Sequence, residues 1–372
     1  MQIQAFKATY PRKKLITSAD SFFGKVKEEY PVFRDSGFFK QRKQPGLYIY
    51  RIDEPLRSYT GLLTLASMDE YQEGNIKIHE HTLAAKEQRQ IQLLMHRKAA
   101  VKPVLLTYRG VEEIDKLIKK QLVEKDPFMH YYFEEEDEHH WIWEIKEEKT
   151  IKKLQKLFAE KVPTAYIADG HHRTAAMALL REQAETEGLP SCYNYLLSAF
   201  FPTRELDIFE FNRIVLNTNG LSPTRLIASL SQWAKVKVLD QYKPLKQKHE
   251  WLLFLNNEWF HFQWREETLK AYQNDEVLLD VSLLNKLVLQ DILGIEDPRT
   301  DVRLKYIEGP RGIDAFKQLV NKSENRLGFI LFPIDIKDFL HIADASKVLP
   351  PKSTWFEPRM RNGLLVHDLK DQ

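Results

Sequence analysis

The sequence predicts an α+β (mixed α/β) fold, in which strands and helices alternate without the strict rhythm of a doubly wound sheet. Three observations carry that prediction. Short runs rich in Tyr, Leu, Phe and Trp, alternating apolar with polar, recur along the 372 residues and read as strands. Longer stretches free of Gly and Pro carry apolar residues at helical spacing. The composition, 43% hydrophobic and 12% aromatic, is enough for a sizeable core.

The elements follow in order. Residues 1–45 are rich in Lys, Phe and Tyr, with a helix expected around 18–30. Segments 47–52 and 60–67 alternate and read as strands joined by the polar turn 53–58. Segment 80–98 is long, charged and uninterrupted; Leu83, Ile91, Leu94 and Met95 form a partial apolar stripe, which predicts a helix. A strand at 103–108 and an amphipathic helix at 111–122 come next. Strands 129–133 and 141–145 flank the acidic tip 134–138, read as a solvated hairpin turn because consecutive like charges repel and hydrate. Ile151, Leu154, Leu157 and Phe158 have helical spacing, and Pro163 ends that helix. A strand at 164–168 leads through Asp169 into a helix at 174–187, which Gly188 stops. Strands at 193–201 and 208–216 complete the first half.

A run of Asn, Thr, Gly, Ser and Pro at 217–223 marks a domain boundary, dividing the chain into 1–216 and 217–372. The length agrees with about two to three domains of roughly 100–200 residues. Beyond the boundary come a hairpin at 251–255 and 259–264, a helix at 279–293, a turn at 309–312 before a helix from Ile313, a buried strand at 327–333, a helix at 336–345 and a last strand at 364–367.

Charge and composition exclude several classes. Lys plus Arg number 55 and Asp plus Glu 53, a formal net charge of +2. That balance, with 14 Gly and 17 Pro, is neither disordered nor collagen-like. It lacks the strongly basic footprint of a nucleic-acid binder, so nucleic acid is not expected as a partner. Cys192, the sole cysteine, supports neither an intrachain disulfide nor a Cys-based zinc cage. With no secretory-type start and no run of about 18 apolar residues, no membrane association is expected and the chain reads as soluble and cytoplasmic.

The sharpest chemical signal is YIADGHHRTAA at 166–176: an apolar strand, a Gly-containing turn and an Ala-rich helix. Free N–H groups at a helix start carry partial positive charge and suit an anion, above all phosphate. Gly170, His171, His172 and Arg173 are therefore candidates for phosphate or nucleotide binding. Asp169 is placed either as a helix cap, as a tentative Mg²⁺ ligand, or as the group that orients a histidine. A second cluster is His79-Glu80-His81-Thr82, followed by Lys86, Glu87 and Arg89. Glu80 is a candidate general base on a hydroxyl if the two clusters meet, and Glu80, Asp169 and His172 are the catalytic candidates. His79, His81, His171 and His172 are alternatively a metal set, although neither spacing is specific. The third cluster, PPKSTWFEPR at 350–359, offers Lys352, Ser353, Thr354 and Arg359 to phosphate and Trp355 to a planar ligand. No P-loop, G-x-G-x-x-G, kinase, G-x-S-x-G or H-E-x-x-H signature is present.

DGHHR at 169–173 resembles the signature of ParB/sulfiredoxin-like domains, which include chromosome-partition nucleotide hydrolases, sulfiredoxin and free-serine kinases. The whole chain is more closely similar to the domain-of-unknown-function 1015 family. The matching stretches are 71–89 (YQEGNIKIHEHTLAAKEQR), 165–176 (AYIADGHHRTAA), 209–215 (FEFNRIV), 293–303 (LGIEDPRTDVR) and 348–359 (VLPPKSTWFEPR). The resemblance implies a ParB/sulfiredoxin-like core within 1–216, elaborated by hairpins, and a smaller C-terminal α+β unit carrying the PPKSTWFEPR loop. It further implies that Asp169, His171, His172 and Arg173 handle phosphate and metal. Sulfiredoxin chemistry needs a cysteine where this chain has histidines. The expected function is a small-molecule phosphotransferase acting on free L-serine or a similar hydroxyl, with a nucleotide or pyrophosphate donor and Mg²⁺. The alternatives are a ParB-like nucleotide-binding or nucleotide-hydrolysing regulator and a metal-dependent hydrolase or nuclease.

Overall fold

A computed structural model describes residues 1–188, 192–273 and 277–369. The chain divides into two compact units, Met1–Asp207 with Pro358–Gln372, and Ile208–Glu357. The predicted mixture of helices and strands is borne out in both.

The first unit is built on a mixed nine-stranded sheet. Its order is Ile76–Lys77, Ala165–Asp169, Val104–Tyr108, Tyr195–Pro202, Ser58–Ser67, Leu47–Asp53, Glu138–Ile145 and Met129–Phe133, with Ile3–Gln4 also on Ser58–Ser67. Val104–Tyr108 is buried at every position, as its largely apolar run, interrupted only by Thr107, suits a strand covered on both faces. It runs parallel to Tyr195–Pro202 and antiparallel to Ala165–Asp169. The register of the latter pair shifts between Ile167 and Asp169, a bulge of the kind that re-aims a strand's last side chain. Helix His171–Thr186 leaves from that point and packs against helix Ala84–Arg97. The returning tail is tied in by pairing of His367 with Ala100 and Val366 with Thr9. Asp368 accepts hydrogen bonds from Tyr30 Oη at 3.1 Å and Gln41 Nε2 at 3.2 Å.

The second unit holds a six-stranded antiparallel sheet, ordered Ala234–Leu239, Glu258–Trp264, Glu250–Leu255, Leu327–Leu331, Phe211–Val215 and Leu304–Glu308. Ile214, Leu252, Phe254, Trp259, Ile307 and Ile330 meet Phe316 and Val320 of helix Gly312–Val320 to form one core cluster. Gly328 permits that approach, since a Cβ there would lie 2.3 Å from Phe316 Cζ.

Several boundaries differ from expectation. The division falls at 208 rather than 217 because Phe211–Val215 pairs on both sides within the second sheet. Helix 174–187 begins three residues earlier, at His171. The predicted helix 279–293 is Asp280–Leu283 followed by a wider-wound Leu284–Gln290. There Asp291 and Leu293 donate to the carbonyls of Lys286 and Val288, five residues back. Ala234–Leu239 was not expected; Lys235 and Lys237 interrupt its apolar pattern, as suits an exposed edge strand. Among the described residues, no helix is long and apolar enough to cross a membrane.

The Gly328→Val substitution should overpack the Phe316–Val320 face and cost about 1–3 kcal/mol. A lower urea midpoint by tryptophan fluorescence is the expected readout, and an unchanged midpoint would contradict this packing.

Candidate functional site

Gly170 ends the strand and starts the helix with φ 118° and ψ 21°, a conformation that L side chains rarely adopt. A Cβ there would also sit 2.9 Å from Arg173 Nη2 and 3.0 Å from Val104 Cγ2. Glycine therefore lets the Arg173 guanidinium fold back over the turn. No side chain caps the helix, so Asp169 is not the cap that its position invited. Its carboxylate instead meets three cations. Oδ2 accepts from Arg173 Nη2 at 2.8 Å and lies 3.7 Å from Lys102 Nζ; Oδ1 lies 3.5 Å from Arg359 Nη1. Arg173 is braced further, with Nη1 donating to Pro103 O at 2.6 Å and Lys102 O at 3.2 Å.

The electrostatics follow from that crowding. Burial pushes the Asp169 carboxyl up, but Arg173, Lys102 and Arg359 outweigh it and hold the group below the usual carboxylate range. Burial brings Lys102 down to about 8, with Asp169 opposing the shift. Three cations surround one carboxylate, leaving an excess of positive charge suited to anionic oxygens. This set does not fit the Mg²⁺ expected at Asp169. Both carboxylate oxygens already face cations, and a divalent ion there would be repelled by all three.

The histidines differ from these three cations. Burial lowers His171 to about 4 and also lowers His79 and His172, so the three are neutral near pH 7. His171 Nε2 accepts from the His79 backbone N–H at 3.3 Å, and the two rings meet edge-on at 4.4 Å. His172 Nε2 accepts from the Leu83 N–H at 3.2 Å. The two imidazoles thus pin segment 79–83 to the start of the helix. That brings the two histidine-containing clusters together: ligand atoms of His79, Glu80 and His171 all lie within 4.8 Å of one another. His81 is exposed, and the Thr82 hydroxyl donates to Glu87.

Of the 350–359 loop, Arg359 belongs to the first unit and reaches Asp169. Lys352, Ser353 and Thr354 belong to the second unit. There Lys352 Nζ sits 4.8 Å over the Phe211 ring, and Ser353 Oγ donates to Pro350 O. These are the contacts that the first two side chains make within that unit. Lys102 was not foreseen. It stands alone between Val101 and Pro103, and the only signal was its place just before a largely apolar strand.

Beside Asp169 the first unit has a partly open cavity of about 390 Å³. Arg97, Lys102, Asp169 and Arg173 supply much of its charge, and Leu94 and Met177 are among its apolar walls.

An α+β chain with a cationic pocket at a strand–helix turn is the class that this geometry defines. The family model for a protein of unknown function (DUF1015) matches residues 5–282, and the chain belongs to that family. No curated protein matches the sequence. Among solved structures, a free serine kinase in complex with AMP is similar at 13% identity and a TM-score of 0.38, over 81% of this chain and 92% of that one. SbnI with a C-terminal truncation, from Staphylococcus aureus, has 11% identity and a TM-score of 0.41 over 81% and 87%. A conserved hypothetical protein from Pyrococcus furiosus has 13% and 0.38 over 83% and 96%.

An anion seated beside Asp169 would meet a pH-dependent charge on Lys102. Its folded pKa of about 8 lies below the ordinary lysine value, so its charge is present below that pH and lost above it. The affinity for sulfate, whose own charge is constant there, should fall up to about tenfold per pH unit above 8. Lys102→Met should flatten the profile, as measured by thermal shift across a sulfate series.

Proposed function

We propose that this protein is a small-molecule phosphotransferase, with a hydroxyl compound such as free L-serine as acceptor and a nucleotide or pyrophosphate as donor. The observation that carries the reading is the Asp169 carboxylate ringed by Lys102, Arg173 and Arg359, with Glu80 held beside His171 in the same unit. Phosphoryl transfer needs alignment and charge neutralisation more than covalent help from the protein. The three cations supply the neutralisation, and the N–H groups at the start of helix His171–Thr186 add their partial charges. Asp169 holds the cations in place, and His171 and His172 position segment 79–83. As the acceptor oxygen forms its bond to phosphorus, the bond from phosphorus to the donor's bridging oxygen breaks. The hydroxyl proton passes to the Glu80 carboxylate, and the donor leaves one phosphoryl group shorter. No step is routed through a metal.

The test is incubation of purified protein with L-serine and, in turn, ATP, ADP and pyrophosphate, each supplied with Mg²⁺, with O-phosphoserine read by ³¹P NMR. Product is expected with one donor, and Glu80→Gln should lower kcat by about 10²–10⁴. Absence of product with every donor, from folded protein, rejects L-serine as acceptor. If Glu80→Gln leaves kcat unchanged, Glu80 is not the base.

One observation favours a second reading, a metal-dependent hydrolase. His79, Glu80 and His171 offer two imidazoles and a carboxylate within 4.8 Å, a donor set suited to zinc, manganese or iron rather than magnesium. Metal analysis of protein purified without a His-tag decides between them. A stoichiometric ion supports this reading and removes Glu80 as the general base; none removes a tightly bound centre.

A further inference from the structure

Arg97 ends helix Ala84–Arg97 and is 5% exposed. Arg97 is among the residues lining the cavity beside Asp169, and its Nε and Nη2, themselves closed off from solvent, meet no hydrogen-bond acceptor among the described residues. A buried guanidinium with idle donors is costly, because desolvation is not offset by a partner. Arg173, which lines the same cavity, shows the contrast: it has a carboxylate and two carbonyls. Lys27, Arg97, Lys102 and Arg173 together face one lining carboxylate, Asp169. The rest of the wall is largely apolar, with Leu94, Val104, Met177 and Leu197 among its residues. A volume of about 390 Å³ is in the range of small-molecule sites.

We infer that Arg97 is a ligand-binding residue, seating an anionic oxygen group, phosphate or carboxylate, of the molecule whose phosphoryl group is received at the Asp169 cluster. The ligand is thus an organic or condensed phosphate with at least two anionic groups, and any carbon skeleton lies against the Leu94 and Met177 walls. The inference deepens the proposed function and rests on it in taking Asp169, Lys102, Arg173 and Arg359 as the place where phosphate lands. Either the donor or the phosphorylated product supplies such a second group. Pyrophosphate and ADP represent the donor, and O-phospho-L-serine, with its carboxylate, represents the product.

The experiment uses the full chain at pH 7, with calorimetric titration of the three probes and melting temperatures with and without each. Wild-type protein should bind at least one probe. Arg97→Met should keep or raise the melting temperature without probe, since the burial cost of that charge outweighs the attraction of Glu28. The same variant should weaken the bound probe about 10–100-fold. Arg97→Lys, which keeps the charge but loses the fork, should fall between. The probe most affected identifies the group that Arg97 holds. Unchanged affinity in Arg97→Met overturns the inference, as does failure of wild type to bind any probe. If Arg97→Met does not fold, unchanged probe affinity in a folded Arg97→Lys likewise overturns it, and a graded loss there supports it. Turnover is not read, so the two claims fail separately: Arg97-dependent binding without phosphotransfer rejects the proposed function alone.

Discussion

The local order of the first unit's site depends on one carboxylate. Asp169 gathers Lys102 from the segment before a central strand, Arg173 from the first turn of the next helix and Arg359 from the returning tail. These groups are far apart in sequence and would repel one another without the negative charge between them. The strand bulge aims Asp169, and Gly170 lets Arg173 reach back to it. One negative charge thus holds three positive ones close, and the remainder is what an anion meets.

The imidazoles work on the opposite principle. Buried and neutral, they accept backbone N–H groups instead of presenting positive charge. A pair of adjacent histidines on a helix start can reach two points of a neighbouring segment, and here those points are His79 and Leu83. Glu80 lies between them, in a segment held at both points by hydrogen bonds to the two imidazoles. The reactive potential of the turn is therefore divided: charge comes from Lys102, Arg173 and Arg359, while shape comes from His171 and His172.

Much of this was legible beforehand, and the rest was not for identifiable reasons. Apolar alternation and helical spacing located the hairpins, the 165–169 strand and most helices, because local pattern governs such elements. The DGHHR turn stood out because Gly between an apolar strand and an Ala-rich helix is a local feature. Lys102 and Arg97 did not. A lysine before a proline and an arginine at a helix end are ordinary in sequence; only the fold sets both beside the same cavity. The charge state of the histidines was not legible because burial decides it, and burial is a tertiary property. The unit boundary was misplaced because strand Phe211–Val215 reads the same whichever sheet it joins.

The return of Pro358–Gln372 to the first unit bears on biogenesis. During synthesis the carboxylate and its first two cations emerge together with the early sheet, whereas Arg359 is delivered only after the whole second unit has been translated. The pocket passes through an incomplete stage, with Asp169 Oδ1 lacking its partner, for as long as the intervening segment is being made. Assembly of all three cations around Asp169 is thereby tied to translation through Arg359, and a nascent fragment that stops short of it carries the DGHHR turn with two of them.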